Sequence, residues 1–383
     1  DDGSNGLVFE LERRRVATNS PIFFGFGKLK GVSTTFAIEA MVPDYPKFEL
    51  EIRIPTGPVD DLLASIPKAL GDRLSGMQVG GRLGLTLTMA ADSRNLRNMV
   101  FNVAASEDMV KLEVPGKEVD FNMLTGPFRH RPPTDRDRVM MVGGGPDYVP
   151  LSRISPWLVL AVTTTEDGSF FRHEGFNTYQ VKMSVIRNLE KGRFVRGAST
   201  ISMQLVKNLF ISHEKTMARK FQEIILTWLI EMQIEKEKLI EVYINVIEWG
   251  DEVYGIKEAC NYYFDGLPPE YLSPAQAAFL ASFIPYPRPF QKRFAQGMGG
   301  KERSNSWLRW WSRRQKLVKR IVRAMVNNCQ NMNSKCPTTK DYCRILAATC
   351  RDPGRELIAA DNVTDLDEIF RPRDIPGVGP SLD

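Results

Sequence analysis

The sequence predicts an α+β multidomain protein: an N-terminal antiparallel β domain, a mainly α domain, and a short cysteine-containing helical tail. Three observations carry this. Apolar and polar residues alternate through the first third of the chain. The periodicity turns helical after a connector rich in Pro, Gly and charge. Four cysteines at seven-residue intervals follow near the C-terminus. At 383 residues the chain is long enough for two or three domains with a well-buried core.

Taken in order, residues 1–130 read as a β-rich domain of the bacterial-envelope type. In FELEIRI (48–54) Phe48, Leu50, Ile52 and Ile54 fall on one face with charge on the other, and LGLTLTM (83–89) and VKLEV (110–114) repeat the pattern. Period two predicts half-buried strands. A short helix is predicted near DDLLASI (60–66), ending where Pro67 disturbs the next turn. In composition this stretch resembles the AsmA-like β-sheet proteins of bacterial envelopes. RPPTDRDR (131–138) and GGGPDYVP (143–150) place a linker at 131–150.

Residues 151–326 then read as helical. MARKFQEIILTWLIEMQIE (217–235) puts Phe221, Ile225, Trp228 and Met232 on one stripe, with Arg219 and Glu223 opposite. LSPAQAAFLASFI (272–284) predicts a buried, Ala-rich helix opening with Ser273 as N-cap and Pro274 at N1. From 301 a basic amphipathic helix carries Trp307, Trp310 or Trp311, Leu317, Ile321 and Met325 in register. In the tail, 327–383, Cys329, Cys336, Cys343 and Cys350 lack the close CxxC pairs of a zinc site. Two disulfides stapling a small tail, in an oxidising compartment, is one reading; four reduced cysteines on a helical face is the other.

Several function classes are excluded. The net charge of +5 is mild, and no basic run interleaved with aromatics suggests nucleic acid. No stretch of about 18 apolar residues spans a membrane. The chain opens at DDGSNG without Met or a signal pattern and reads as a mature or truncated form, with any N-terminal anchor absent. Only His130, His173 and His213 are available to a Ser–His–Asp triad. No phosphate loop is present, and GGGP lacks the strand-to-helix setting of a dinucleotide site.

Carboxylates remain. In EDGSFFRHEG (166–175) Glu166 adjoins Asp167, with Phe170 and His173 close by. An apolar wall and a neighbouring negative charge both raise a carboxyl pKa, which suits a general base. An exposed acidic helix start is the alternative reading. Arg219 and Glu223 are spaced i, i+4, which fits a surface ion pair or a phosphate-holding cation beside an acid. Lys207, Lys215, Arg219 and Lys220 would bring four positive charges to one region.

The order of these pieces is more specific than any one of them. EDxxFxxHxG, GxST with QLVKN, RKxxE, ExYIN (241–245) with Glu248 and Gly250, and LSPAQAAFLASFIPYP (272–287) follow one another. This series resembles glycosyltransferase family 51, the peptidoglycan glycosyltransferases, over roughly residues 150–325. The resemblance implies a lysozyme-like helical fold and polymerisation of lipid II at the periplasmic face of the bacterial cytoplasmic membrane. It implies Glu166 as the base that activates the acceptor sugar hydroxyl for inverting attack on the donor, with lipid diphosphate leaving. By the same resemblance Glu223 is the second essential carboxylate. Lys207, Arg219 and Lys220 neutralise the diphosphate, and Ser199, Thr200 and Gln204 hydrogen-bond around sugar and phosphate. Asp167, Phe170, His173, Tyr243 and Asn245 support the site.

No cofactor is required on this reading; a divalent cation, Mg or Mn, is allowed at the diphosphate, and no acidic cluster dictates one. The implied partners are lipid II, the growing glycan, the membrane surface and a separate transpeptidase, because no SxxK or KTG signature appears after residue 325. Three departures from the family pattern stand out: Met203 replaces the first of two glutamines, Ile244 replaces Leu, and Gln276 replaces Glu. Two rival functions follow from the same residues, a lysozyme-like glycan-cleaving enzyme and a non-catalytic envelope scaffold.

Overall fold

The computed structural model describes residues 8–15, 21–29, 32–39, 47–64, 66, 71–135, 137–211, 216–298 and 305–332, with the backbone alone over 8–49 and at 217, 297–298 and 330–332. It divides into two compact units. The first holds residues 1–121, 174–206 and 210–233; the second holds 122–173, 207–209 and 234–383.

The first unit is built on a six-stranded antiparallel meander in sequence order: β1 (Val8–Arg15), β2 (Pro21–Leu29), β3 (Val32–Glu39), β4 (Lys47–Pro58), β5 (Gln78–Asp92) and β6 (Val100–Val114). The alternating stretches 48–54, 83–89 and 110–114 fall on β4, β5 and β6. Register keeps the alternation in phase: Leu50 pairs Met89, Ile52 pairs Leu87, and Ile54 pairs Leu85. A bulge interrupts it where Gly81 adopts φ +91°, and a side chain there would meet the Met109 carbonyl at 2.5 Å.

Helix α1 (Val59–Ala64) bridges β4 and β5. Its Asp60 carboxylate accepts a 2.6 Å bond from the Val79 amide. The same unit contains α3 (Thr178–Lys191), most of α4 (Ile201–Phe210) and α5 (Met217–Gln233). Ala91, Met99 and Ile186 form a buried cluster joining the sheet to α3. The Trp228 indole N–H donates to Glu107 on β6 at 2.8 Å, and the Gln222 amide donates to Asp72 at 2.5 Å.

The buried side of α5 carries Gln222, Glu223, Leu226, Thr227, Leu229 and Ile230. Phe221, Ile224 and Met232 are 38–43% exposed. The stripe Phe221–Ile225–Trp228–Met232 is therefore the outer, half-open side of this helix, and Glu223 belongs to its interior side.

The second unit is mainly helical. Helix α2 (Pro156–Glu166) is buried from Leu158 to Thr163 and packs on α8 (Pro274–Ala281) and α10 (Asn305–Met332). Every residue of α8 is buried. Ser273 and Gln276 close a capping box: the Ser273 amide donates to the Gln276 side chain at 2.9 Å, and the Gln276 amide donates back to the Ser273 hydroxyl at 3.3 Å. Gln serves this box as Glu would, which explains why the departure at 276 is tolerated. Phe279, Phe283 and Tyr263, the last on α7 (Gly255–Phe264), pack edge-on or stacked against Phe290 of α9 (Pro287–Met298). Trp307 and Trp311 are each 4% exposed, and Val318, Ile321, Val322 and Met325 continue the buried side, so the apolar stripe of α10 is spent on packing within the protein.

Cys329 at the end of α10 is fully buried and disulfide-bonded; Cys336, Cys343 and Cys350 lie outside the described residues. Cys260 is a buried free thiol.

The stretch 131–150 is strapped down. Strands β7 (Phe128–His130) and β8 (Met140–Val142) pair, Thr134 bonds Glu248 and Tyr254, and Arg138 pairs with Glu258. Among the described residues no helix is long and apolar enough to cross a membrane.

Candidate active site

In the second unit, the site residues gather where α2 ends. The Asp167 amide caps Thr163 O at 2.9 Å, and the Thr163 and Thr165 hydroxyls turn back onto Val159 O and Ala161 O at 2.8 and 3.0 Å. A helix so tightly tied has little freedom in its last turn, which carries Glu166. Asp167 is 4% exposed and accepts from His173 Nε2 through both oxygens, at 2.8 and 2.9 Å. Glu166 is half-buried. Of the adjacent acid pair, one is enclosed and engaged by a histidine and the other reaches the surface.

Phe170, 1% exposed, packs edge-on against Phe171 and His173, and the Lys236 ammonium sits 4.3 Å over its ring. Lys236 opens α6 (Lys236–Val246) and is itself 7% exposed; sequence reasoning passed over it, because a lysine at a helix start carries no pattern signal. Tyr243, also on α6, is completely buried. Burial first, then the charges of Glu166 and Asp167, push its phenol well above the ordinary value, so it stays neutral beside both acids. Asn245 accepts from the Val149 amide at 2.9 Å and donates to Val149 O and Glu241 O at 2.8 Å. It fixes the chain entering the domain to the helix that carries Tyr243.

In the first unit, a second group forms around the starts of α4 and α5. Thr200 is the N-cap of α4: its hydroxyl accepts from Met203 N at 3.3 Å and donates to Gly175 O at 2.7 Å. Gly175 has φ +85°, and a Cβ there would crowd Thr227 and Glu231, which accounts for glycine at the end of the HxG stretch. Ser202 is fully buried and bonds Glu231. Lys220 donates to Glu223 at 2.5 Å and reaches the Ser199 hydroxyl at 3.3 Å. The Glu223 side chain is 3% exposed while that of Lys220 is 40% exposed. The ion pair expected of Arg219 with Glu223 is made by Lys220 instead, one residue nearer in the turn, with its carboxylate interior and its lysine at the surface. Arg219 is half-buried on the same turn. Gln204 lies half-buried on α4, and Met203 is 6% exposed; Lys207, which belongs to the second unit, is half-buried. Lys215 lies outside the described residues.

Among the described residues no group of three His, Cys, Asp or Glu is placed to hold a metal ion, and Glu223, the acid of the cationic group, is already taken by Lys220.

The transglycosylase family profile matches residues 142–311. Curated relatives named biosynthetic peptidoglycan transglycosylase are similar over 141 to 157 residues. That of Laribacter hongkongensis is 45% identical over 141 residues, 37% of this chain and 61% of the relative. Those of Dechloromonas aromatica and Chromobacterium violaceum are 44% and 43% identical, with 67% and 68% of their lengths covered by 40% and 41% of this chain. The chain thus spans about three fifths of the Laribacter relative, and the six-stranded sheet lies outside the residues the family profile matches. With the motifs in order and these matches across them, the chain belongs to the transglycosylase family.

Proposed function

We propose that the protein is a peptidoglycan glycosyltransferase that polymerises lipid II at the cell envelope, with Glu166 as general base and a lysozyme-like arrangement of the helical domain. The observation that carries this is the half-buried Glu166 on the tied last turn of α2, flanked by an engaged Asp167 and a neutral, buried Tyr243, in a chain of the transglycosylase family. A base has to reach a substrate hydroxyl and hold its position while doing so. Glu166 meets both demands, and Asp167 meets only the second.

On this reading Glu166 takes the proton from the acceptor sugar hydroxyl. The freed oxygen attacks the donor anomeric carbon from the opposite face. The bond to the diphosphate breaks with inversion, and lipid diphosphate leaves with the electron pair. A diphosphate leaves readily once its charge is met, so the remaining work is electrostatic. Lys207, Arg219 and Lys220 are assigned to that work, with Ser199, Thr200 and Gln204 as hydrogen-bonding partners. Glu223 holds the Lys220 ammonium in place. Met203 supports an active enzyme: it is buried against the protein, so the amide missing there is an interior one.

The test incubates the purified protein with labelled lipid II and separates products by gel. Long glycan from the wild type, absent with Glu166→Gln, is the expected result. Cleavage of pre-formed glycan with no polymer from lipid II would make the protein a hydrolase, and binding without turnover would make it a scaffold.

A further inference from the structure

We infer that one face of the six-stranded sheet receives the prenyl chain of the lipid-linked substrate; this rests on the transferase reading above. The sheet is segregated. Cross-strand rows Leu50–Met89–Phe101, Ile52–Leu87–Val103 and Ile54–Leu85–Ala105 share one face of β4, β5 and β6. The backbone register continues these rows into β3, where Phe36 pairs Leu50 and Thr34 pairs Ile52. The opposite face carries Glu51, Arg53, Thr86, Thr88, Asn102 and Ser106, with Glu51 and Arg53 in a 2.9 Å ion pair.

An apolar sheet face is ordinarily sealed by a second layer. Among the described residues this one is not. Leu50, Ile52, Ile54, Leu85, Leu87, Met89 and Phe101 are all half-buried, and Val103 is 36% exposed. Helices meet the face at its ends. Helix α3 joins at Ala91 and Met99 through Ile186, and α5 joins at Glu107, which the Trp228 indole holds.

The occupant follows from what else this unit carries. The half-open side of α5, with Phe221, Ile225, Trp228 and Met232, extends the apolar surface from the Glu107 margin. The first turn of the same helix carries Lys220, bonded to Ser199 and Glu223. A cation and hydroxyl at one end and an uncharged, strand-deep apolar face beyond them match a single molecule with an anionic head and a long hydrocarbon chain. The three rows carry no charge to receive a polar peptide. With strands about 4.8 Å apart, the rows of β3 to β6 run about 14 Å across the sheet, room for a chain lying lengthwise in contact with several strands.

The probe is undecaprenyl diphosphate bearing a benzophenone near the far end of its chain, photo-crosslinked to the full-length protein and mapped by mass spectrometry. Crosslinks within 47–58, 78–92 and 100–114 are expected; crosslinks confined to other peptides would overturn the assignment. This readout needs no turnover, so it decides the chain site even if lipid II is not polymerised. In parallel, Val103→Asp and Leu87→Asn should each raise KM about fivefold or more for lipid II while leaving kcat and the KM of a two-isoprene analogue unchanged. Equal effects on both substrates, or none, would sink the idea. So would a wild-type dimer that Val103→Asp dissociates in light scattering, since a second copy would then cover the face.

Discussion

The two acidic neighbourhoods differ in how each carboxylate is held. Glu166 ends a helix whose preceding turns are sealed, yet its own side chain is half-buried. Glu223 sits within the helix packing at 3% side-chain exposure, bound to a lysine that is itself 40% exposed. The first arrangement suits a group that must touch and deprotonate a substrate. The second suits a group that aims a cation and never leaves it. Two glutamates equal in sequence are thereby given unequal work by burial alone.

The strongest way to break this contrast is Glu166→Gln. It should lower polymerisation by about 10²- to 10⁴-fold with no loss of melting temperature, because the side chain is not part of the sealed core. A large fall in melting temperature would make Glu166 a structural residue.

His130 offers a pH test of burial without a partner, in contrast to the engaged His173. Burial holds its imidazole down to about 4, and among the described residues its Nε2 has no hydrogen-bond partner. The unfolded chain therefore takes up a proton near pH 6.5 that the folded chain resists. Stability should be flat above about 6.5 and fall by about 1.4 kcal/mol per pH unit down to about 4. Denaturant titrations at pH 7 and 5 would measure this, and His130→Phe should flatten the dependence.

Lys220→Met comes next. It leaves the Glu223 carboxylate buried without its cation and should cost about 2 kcal/mol, less than a fully buried pair because Lys220 is well exposed. Adding Glu223→Gln should restore most of that stability and none of the activity. Recovery of activity in the double variant would remove the pair from the mechanism.

Thr200→Ala is the smallest change. Loss of the cap on Met203 N and of the bond to Gly175 O should cost about 1 kcal/mol, read by thermal melting. A cost near zero would mean that α4 is held by its buried apolar residues alone.

Much of the fold was legible because the signals are local. Alternation marked β4, β5 and β6, since each strand has one apolar side. Ser273 and Pro274 announced the start of α8. Strand β2 was not singled out, because PIFFGFGKL does not alternate in polarity. The ordered motifs named the candidate residues, but Lys236 beneath Phe170 left no trace in spacing, since a cation over a ring depends on two elements meeting.

The amino-acid sequence by itself determined the strand and helix periods and the caps, because each is written in neighbours a few residues apart, and the family, because its motifs keep their order along the chain. Only the tertiary structure decided which side of α5 turns inward. That helix has apolar residues on both sides, so its own pattern is ambiguous, and the packing partners chose the side bearing Glu223. The same holds for the acid pair: residues 166 and 167 are chemically alike, and the position of His173 across the turn set one of them apart.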